Sequence, residues 1–218
     1  MSEKKKVVLA FSGGLDTSFC VKYLSEDLGY EIHSVLVDTG GFSAEDLKAI
    51  EARAYSLGVK AHATISKTDD YYNQCIKYLI FGNILKNNTY PLSVSAERIF
   101  QAIAAAEFAK KIGAQAIAHG STGAGNDQVR FDMAFRIIMP EAEIITPIRD
   151  NKLSREEEIA YLKKHGVEID AQKKVALAEV KAEVSKLSLE IAQKVLNREL
   201  DSTKDQQTYI NSLVDKLN

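Results

Sequence analysis

The sequence predicts an α/β fold, a parallel sheet with helices on both faces, followed by a helical tail. Three observations lead there. Short apolar runs of strand length alternate with amphipathic helical stretches from residue 7 to about residue 165. The runs are continuously apolar rather than alternating, as strands buried on both faces are. After about Asp170 the strand signals vanish and a helical stripe takes over. Strand–helix repetition of this kind implies right-handed crossovers, with ligand loops at the carboxyl ends of the strands.

The elements follow in order. Val7–Phe11 reads as the first strand, ending in a Gly-Gly turn and a helix carrying Cys20, Val21 and Leu24. Ile32–Val37 is the second strand. Leu47, Ile50, Ala54 and Leu57 step by three and four in a helix that Ser43 caps and Gly58 stops. Ala61–Ile65 reads as a strand, Asp70–Phe81 as a helix ending at Gly82, and the alanine-rich Ser95–Ile112 as a helix closed by Gly113. Ala114–Ala118 and Ile144–Thr146 supply two further strands. Ser154-Arg155-Glu156-Glu157 is a capping box opening a helix to His165. In the tail, Leu177, Val180, Val184, Leu187, Ile191 and Val195 form one stripe. Asp201-Ser202-Thr203 breaks it before a last helix with Tyr209, Ile210, Leu213 and Leu217. The division is a domain over residues 1–170 and an amphipathic helical tail over 171–218.

Composition narrows the partners. A net charge of -2 gives no field to hold a polyanion, so nucleic acid is not expected. No run approaches the roughly 20 apolar residues of a membrane span, and Val7–Phe11 is too short for a signal peptide. The expectation is a cytoplasmic protein with no membrane partner. The two cysteines, Cys20 and Cys75, form no C-x-x-C pair, which excludes a zinc ribbon or a thioredoxin-type site. Both read as core residues. His33, His62 and His165 read as structural, and His119 as a support for the loop after it.

Two loops that follow strands carry chemistry. Ser12-Gly13-Gly14-Leu15-Asp16-Thr17-Ser18 runs from a buried strand into a helix. Its glycines let a ligand approach the main chain, and successive N–H groups at a helix N-terminus make an anion nest. Ser12, Thr17 and Ser18 add hydroxyls. Asp16 would repel an anion, so it either meets a Mg²⁺ bridging to phosphates or caps the loop's own N–H groups. With no Walker-type lysine and no G-x-G-x-x-G, neither a P-loop kinase nor a dinucleotide fold is supported. The second loop, His119 to Arg130, mixes three glycines with Ser121, Thr122, Asn126, Asp127, Gln128 and Arg130, a set suited to ligands with carboxylate and ammonium ends.

SGGLDTS resembles the SGGxD[ST] loop of PP-loop enzymes that cleave ATP to AMP and pyrophosphate. HGSTGAGNDQVRFD, from His119, resembles the most distinctive stretch of argininosuccinate synthases. Tyr90-Pro91-Leu92-Ser93-Val94-Ser95-Ala96-Glu97-Arg98 is similar to that family's Y-x-L-x-x-S-x-x-R, with Ile99 where many members carry proline. Thr146-Pro147-Ile148-Arg149 sits where the family often has A-P-W-R. The resemblance covers about residues 1–170.

It implies an adenine nucleotide alpha hydrolase-like fold of the PP-loop type and a carbon–nitrogen ligase. Such a ligase joins citrulline and aspartate with ATP, through citrullyl-AMP, to argininosuccinate, AMP and pyrophosphate. The implied cofactors are ATP and Mg²⁺, with no dedicated metal cluster. ATP would meet Ala10, Phe11, Ser12, Gly13, Gly14, Leu15, Asp16, Thr17, Ser18 and Gly120, with Val37 near the adenine. Tyr90, Ser95, Asn126 and Arg130 would bind citrulline; Thr122, Asn126 and Asp127 would bind aspartate. Asp16, Asn126, Asp127 and Arg130 would carry the catalysis.

Family members continue into a larger synthetase domain, where this sequence has 171–218. That tail resembles the C-terminal end of subunit b of F-type ATP synthases. The expectation is a truncated synthase with little turnover alone, self-associating through the tail. Two other readings stand beside it: a helical assembly or tether protein related to subunit b, and another AMP-forming PP-loop ligase. The second lacks support from any cysteine pair, zinc motif or basic face.

Overall fold

The structure is a computed structural model of the chain, and it describes residues 4–86 and 90–167. The tail stripe, the last helix and the expected self-association lie outside the described residues.

The first strand, β1 (Lys6–Ala10), leads to α1 (Leu15–Lys22), which runs on as a π-helical turn over Tyr23–Asp27. β2 (Glu31–Asp38), α2 (Ala44–Ser56) and β3 (Ala61–Ser66) follow. A broken helical stretch consists of α3 (Thr68–Tyr71), a π-helical turn (Tyr72–Ile76) and α4 (Lys77–Phe81). The two-residue strands β4 (Leu85–Lys86) and β5 (Tyr90–Pro91) pair antiparallel before the long α5 (Ser93–Lys111). Then come β6 (Ala116–His119), α6 (Asp127–Ile138), β7 (Glu143–Ile145), α7 (Pro147–Asn151) and α8 (Arg155–Lys164).

The main sheet has the order β3-β2-β1-β6-β7 and is parallel throughout. Val7, Val8 and Leu9 of the middle strand are fully buried. Leaving water stabilises the fold by about 1.5–3 kcal/mol for each such side chain. The strand's period of two feeds both faces. Val7 and Leu9 join Phe19 and Cys20 of α1, Ala54 of α2 and Leu162 of α8, while Val8 joins the partners on α5 and α6. On α5, buried Ala102, Ala105 and Ala109 leave room for the helix to lie close against the sheet. Both expected capping interactions form: Ser43 with Asp46 opens α2 in a capping box, and Ser154 with Glu157 opens α8.

From β1 the chain builds outward through β2 and β3, then α5 returns it to β6 on the other side of β1. The strand order therefore reverses between β1 and β6. A crevice opens there, outside the carboxyl ends of both strands.

Three expectations are corrected. The loop after β6 was expected to reach Arg130, but it ends at Asn126, and Asp127, Gln128 and Arg130 form the first turn of α6. The polar first turn masked a helix whose buried Phe131, Ala134 and Phe135 recur at three-four spacing. The Asp70–Phe81 helix starts at Thr68 and is interrupted by its π-helical turn. Tyr71 at its start is buried, but the apolar side chains at its end build no core, since Phe81 is 81% exposed and Ile80 62%. Cys20 is buried as expected; Cys75, on that turn, is only half-buried.

Candidate active site

The loop after β1 is shaped mainly by neutral interactions within the loop itself. Gly13 takes φ +75, and a Cβ there would come within 3.1 Å of the Ile50 side chain, so glycine is required twice over. Gly14 is the extended N-cap of α1, and no side chain caps the helix. The first-turn N–H groups thus face the crevice with the helix dipole behind them. Thr17 Oγ1 donates to the Gly14 carbonyl at 3.3 Å and lies 3.4 Å from Ser12 Oγ. Ser18 departs from its expected part. It is fully buried, its hydroxyl donates to Gly14 O at 2.7 Å, and it accepts from Arg53 Nε at 3.1 Å. Its side chain ties the loop down rather than offering a hydroxyl to the crevice.

The loop after β6 is held by charge. His119, 1% exposed, accepts from the Ser121 N–H on Nδ1 at 3.2 Å, which leaves Nε2–H to donate to Asp132 at 3.0 Å. Burial lowers the His119 pKa despite the opposing pull of Asp132, so the ring is neutral near pH 7. Asp132 also accepts from Arg149 at 2.7 Å. Burial works against its charge, but the bonds from His119 and Arg149 outweigh burial and hold its pKa below the ordinary value. Arg149 also donates to Gln128 Oε1 at 3.1 Å, and Gln128 Nε2 clamps the loop by donating to the Gly123 carbonyl at 2.7 Å. Asp127 accepts from Arg130 and, at 3.4 Å, from Arg98 Nε of α5.

The two loops meet at Gly120. A Cβ there would lie 3.3 Å from Thr17 Cγ2 and 3.4 Å from the Asp16 backbone carbon. Around this contact lies a cleft of about 640 Å³. Of the residues expected at the site, Ala10, Phe11, Ser12, Gly14, Leu15, Asp16, Thr17, Val37, Gly120, Thr122 and Asp127 line it. Gly13 and Ser18 lie buried in the loop behind that lining. Ser95, Asn126 and Arg130 of the citrulline set do not line the cleft. Ser95 is half-buried on α5, Asn126 is the exposed N-cap of α6, and Arg130 is turned to its ion pair with Asp127. Tyr90 is placed by its backbone, in β5.

The cleft also contains residues that sequence reasoning did not assign. Glu97, Arg98 and Gln101 of α5 form a bonded group on its wall, with Thr39 donating to Glu97 at 2.7 Å. Arg98 was visible as the last residue of the Y-x-L-x-x-S-x-x-R pattern. Glu158 of α8 does not line the cleft but lies beside Asp16, which does; it is 1% exposed, and its Oε2 has no hydrogen-bond partner among the described residues. Burial, then the charge of Asp16 and a hydrogen bond with it, raise the Glu158 pKa to about 7. No sequence signal marked Glu158, because it sits in a run of three glutamates that reads as a solvated helix start.

A Gly-rich anion cradle after the first strand, opposed across a switch point by a loop of paired carboxylates and guanidiniums, suits a phosphate-bearing ligand beside a zwitterion. The family model described as the Arginosuccinate synthase N-terminal HUP domain matches residues 6–168. The chain belongs to the argininosuccinate synthase family. The argininosuccinate synthase of Saccharolobus solfataricus is 45% identical over 167 residues, covering 77% of this chain and 42% of that protein. That of Methanococcus maripaludis is 45% identical over 179 residues, covering 81% and 45%. That of Bacillus licheniformis is 40% identical over 169 residues, covering 78% and 41%. The chain thus spans less than half the length of these argininosuccinate synthases, and the match falls on the domain that holds both loops.

Proposed function

We propose that this chain binds MgATP across the β1–β6 crevice and serves argininosuccinate synthesis, activating citrulline as citrullyl-AMP for attack by aspartate. The observation that carries the reading is the contact at Gly120, which makes the anion cradle and the charged loop two walls of one cleft. In the proposed chemistry the ureido oxygen of citrulline attacks the α-phosphorus as the bond to pyrophosphate breaks. The amine of aspartate then attacks the ureido carbon and AMP leaves. Both steps depend on positioning and charge stabilisation rather than on an acid–base pair.

In this reading Thr122 and Asp127 take the amino-acid ends, with Tyr90, Ser95, Asn126 and Arg130 brought to the citrulline, and Val37 packs near the adenine. Asp16 fits a divalent ion, because a carboxylate on the wall of an anion cradle needs a cation between itself and the phosphates. Mg²⁺ held there would neutralise charge on the departing pyrophosphate. Among the described residues no helix is long and apolar enough to cross a membrane. The reading takes the partners to be small molecules and the location to be the cytoplasm.

Calorimetric titration with MgATP, then citrulline, then aspartate tests it. Asp16→Ala and Gly14→Val should each weaken MgATP binding at least about tenfold, or about 1.4 kcal/mol. A Cβ at Gly14 meets only Ser12 Oγ, at an ordinary 3.5 Å, so valine obstructs the ligand rather than the fold. Unchanged binding in both variants removes the β1 loop from the site.

A further inference from the structure

Arg155 is the first residue of α8, and its exposed side chain lines the same cleft as Ser12, Asp16 and Gly120. The cleft wall has two guanidinium groups. Arg98 is committed, with Asp127 at 3.4 Å and Gln101 at 2.8 Å. Arg155 forms no ion pair among the described residues.

The helix does not account for this cation. The positive end of a helix dipole favours acids, and Glu156, Glu157 and Glu158 fill the rest of that turn. Arg155 is the residue of the wrong sign for the helix, and it is the one facing the cleft. Meanwhile the Ser12–Ser18 loop contains no cation, although a triphosphate brings several negative charges.

Position along the cleft says which phosphates. α8 packs beside α1 on the sheet face that carries Val7 and Leu9, whereas Val37 and Phe131 belong to the cluster on the opposite face. The cleft therefore runs from Val37 past the β1 loop to Arg155. With the nucleoside at the Val37 end, Arg155 stands at the far end of the phosphate chain.

We infer that Arg155 binds the terminal phosphates of the nucleotide, the pyrophosphate that leaves, and not its monophosphate end. The inference rests on the ATP reading above. A guanidinium matches phosphate geometry in a way that a neutral amide does not.

The test titrates the full chain and its Arg155→Gln and Arg155→Glu variants with MgATP, magnesium pyrophosphate and AMP. Arg155→Gln should weaken MgATP and pyrophosphate at least about tenfold while AMP changes less than about twofold. Arg155→Glu should weaken the first two further. Glutamate is the residue that the α8 dipole favours, so its melting temperature should hold or rise, which separates lost binding from lost fold. Undiminished MgATP binding in both variants, or an equal loss for AMP, overturns the inference alone. A wild-type chain that binds none of the three ligands overturns the ATP reading and the inference with it.

Discussion

The loops after β1 and β6 open on one cleft but are held in place by opposite means. The first is fixed mainly by neutral bonds inside a seven-residue segment, from Thr17 and Ser18 to the Gly14 carbonyl, with Arg53 Nε donating to Ser18 as its one charged partner among the described residues. The second is fixed by charges from afar: Arg149 reaches Asp132 across 17 residues and Arg98 reaches Asp127 across 29. The difference teaches how the work is divided. A cradle tied by its own hydroxyls keeps its N–H groups available for an anion. A loop tied by ion pairs places carboxylates and guanidiniums where amino-acid ends can compete for them.

The largest effect expected from this contrast is on stability. Asp132→Ala leaves Nε2–H of the buried His119 without its acceptor and Arg149 without its closest carboxylate, which should cost about 2–3 kcal/mol. Ser18→Ala removes one neutral bond to a carbonyl and leaves Arg53 Nε without the hydroxyl it donates to, which should cost about 1–2 kcal/mol. Urea unfolding midpoints of the two variants measure the difference. Equal costs would mean that the two loops are held with similar strength and that the contrast is only one of appearance.

An intermediate effect is expected at Gly13. Alanine there must adopt φ +75 and meet the Ile50 side chain at 3.1 Å, which should cost about 1–2 kcal/mol. Adding Ile50→Ala should return the steric part and leave the backbone part, so the double variant should recover only some of the loss relative to Ile50→Ala alone. Full recovery would show that the Gly-Gly turn needs space rather than a left-handed backbone.

The same contrast explains what could be read from the sequence. The β1 loop was legible because its determinants are local: an apolar strand, two glycines, three hydroxyl residues and a helix start, all contiguous. The five sheet strands, the Ser43 N-cap and the Ser154 capping box were legible for the same reason. Around β6 the motif was visible but its mechanics were not. Asp132 and Arg149 carry no local mark of partnership, since their bond depends on α6 and α7 being brought together by the sheet. Asp127 and Arg130 were placed in a loop because three polar residues hid the apolar spacing of Phe131, Ala134 and Phe135. Arg155 was read only as a member of the capping box, and Glu158 was not singled out. Their relation to Asp16 exists because α8 packs against α1, far away in sequence.

The smallest expected effect is a pH dependence that belongs to the β6 side. The native His119 pKa is depressed below the ordinary 6.5, chiefly by burial. The unfolded chain therefore takes up a proton near pH 6.5 that the native ring refuses until lower pH, and stability present above that point is lost as pH falls through it. Asp132 is also depressed, but its loss begins only below its ordinary value of 3.8, outside this window. His119→Gln keeps both bonds in principle, because an amide can donate to Asp132 and accept from the Ser121 N–H. Between pH 7 and 5.5 the wild type should lose about 1 kcal/mol or less that His119→Gln does not lose, read from urea midpoints at each pH. His62, also depressed by burial, is present in both proteins and cancels in the difference. Since the Ser12–Ser18 segment contains no histidine, a wild type that instead gains stability relative to His119→Gln as pH falls would mean that the ring already carries its proton in the fold. The β6 loop would then be held by a charged His119–Asp132 pair rather than by a neutral ring.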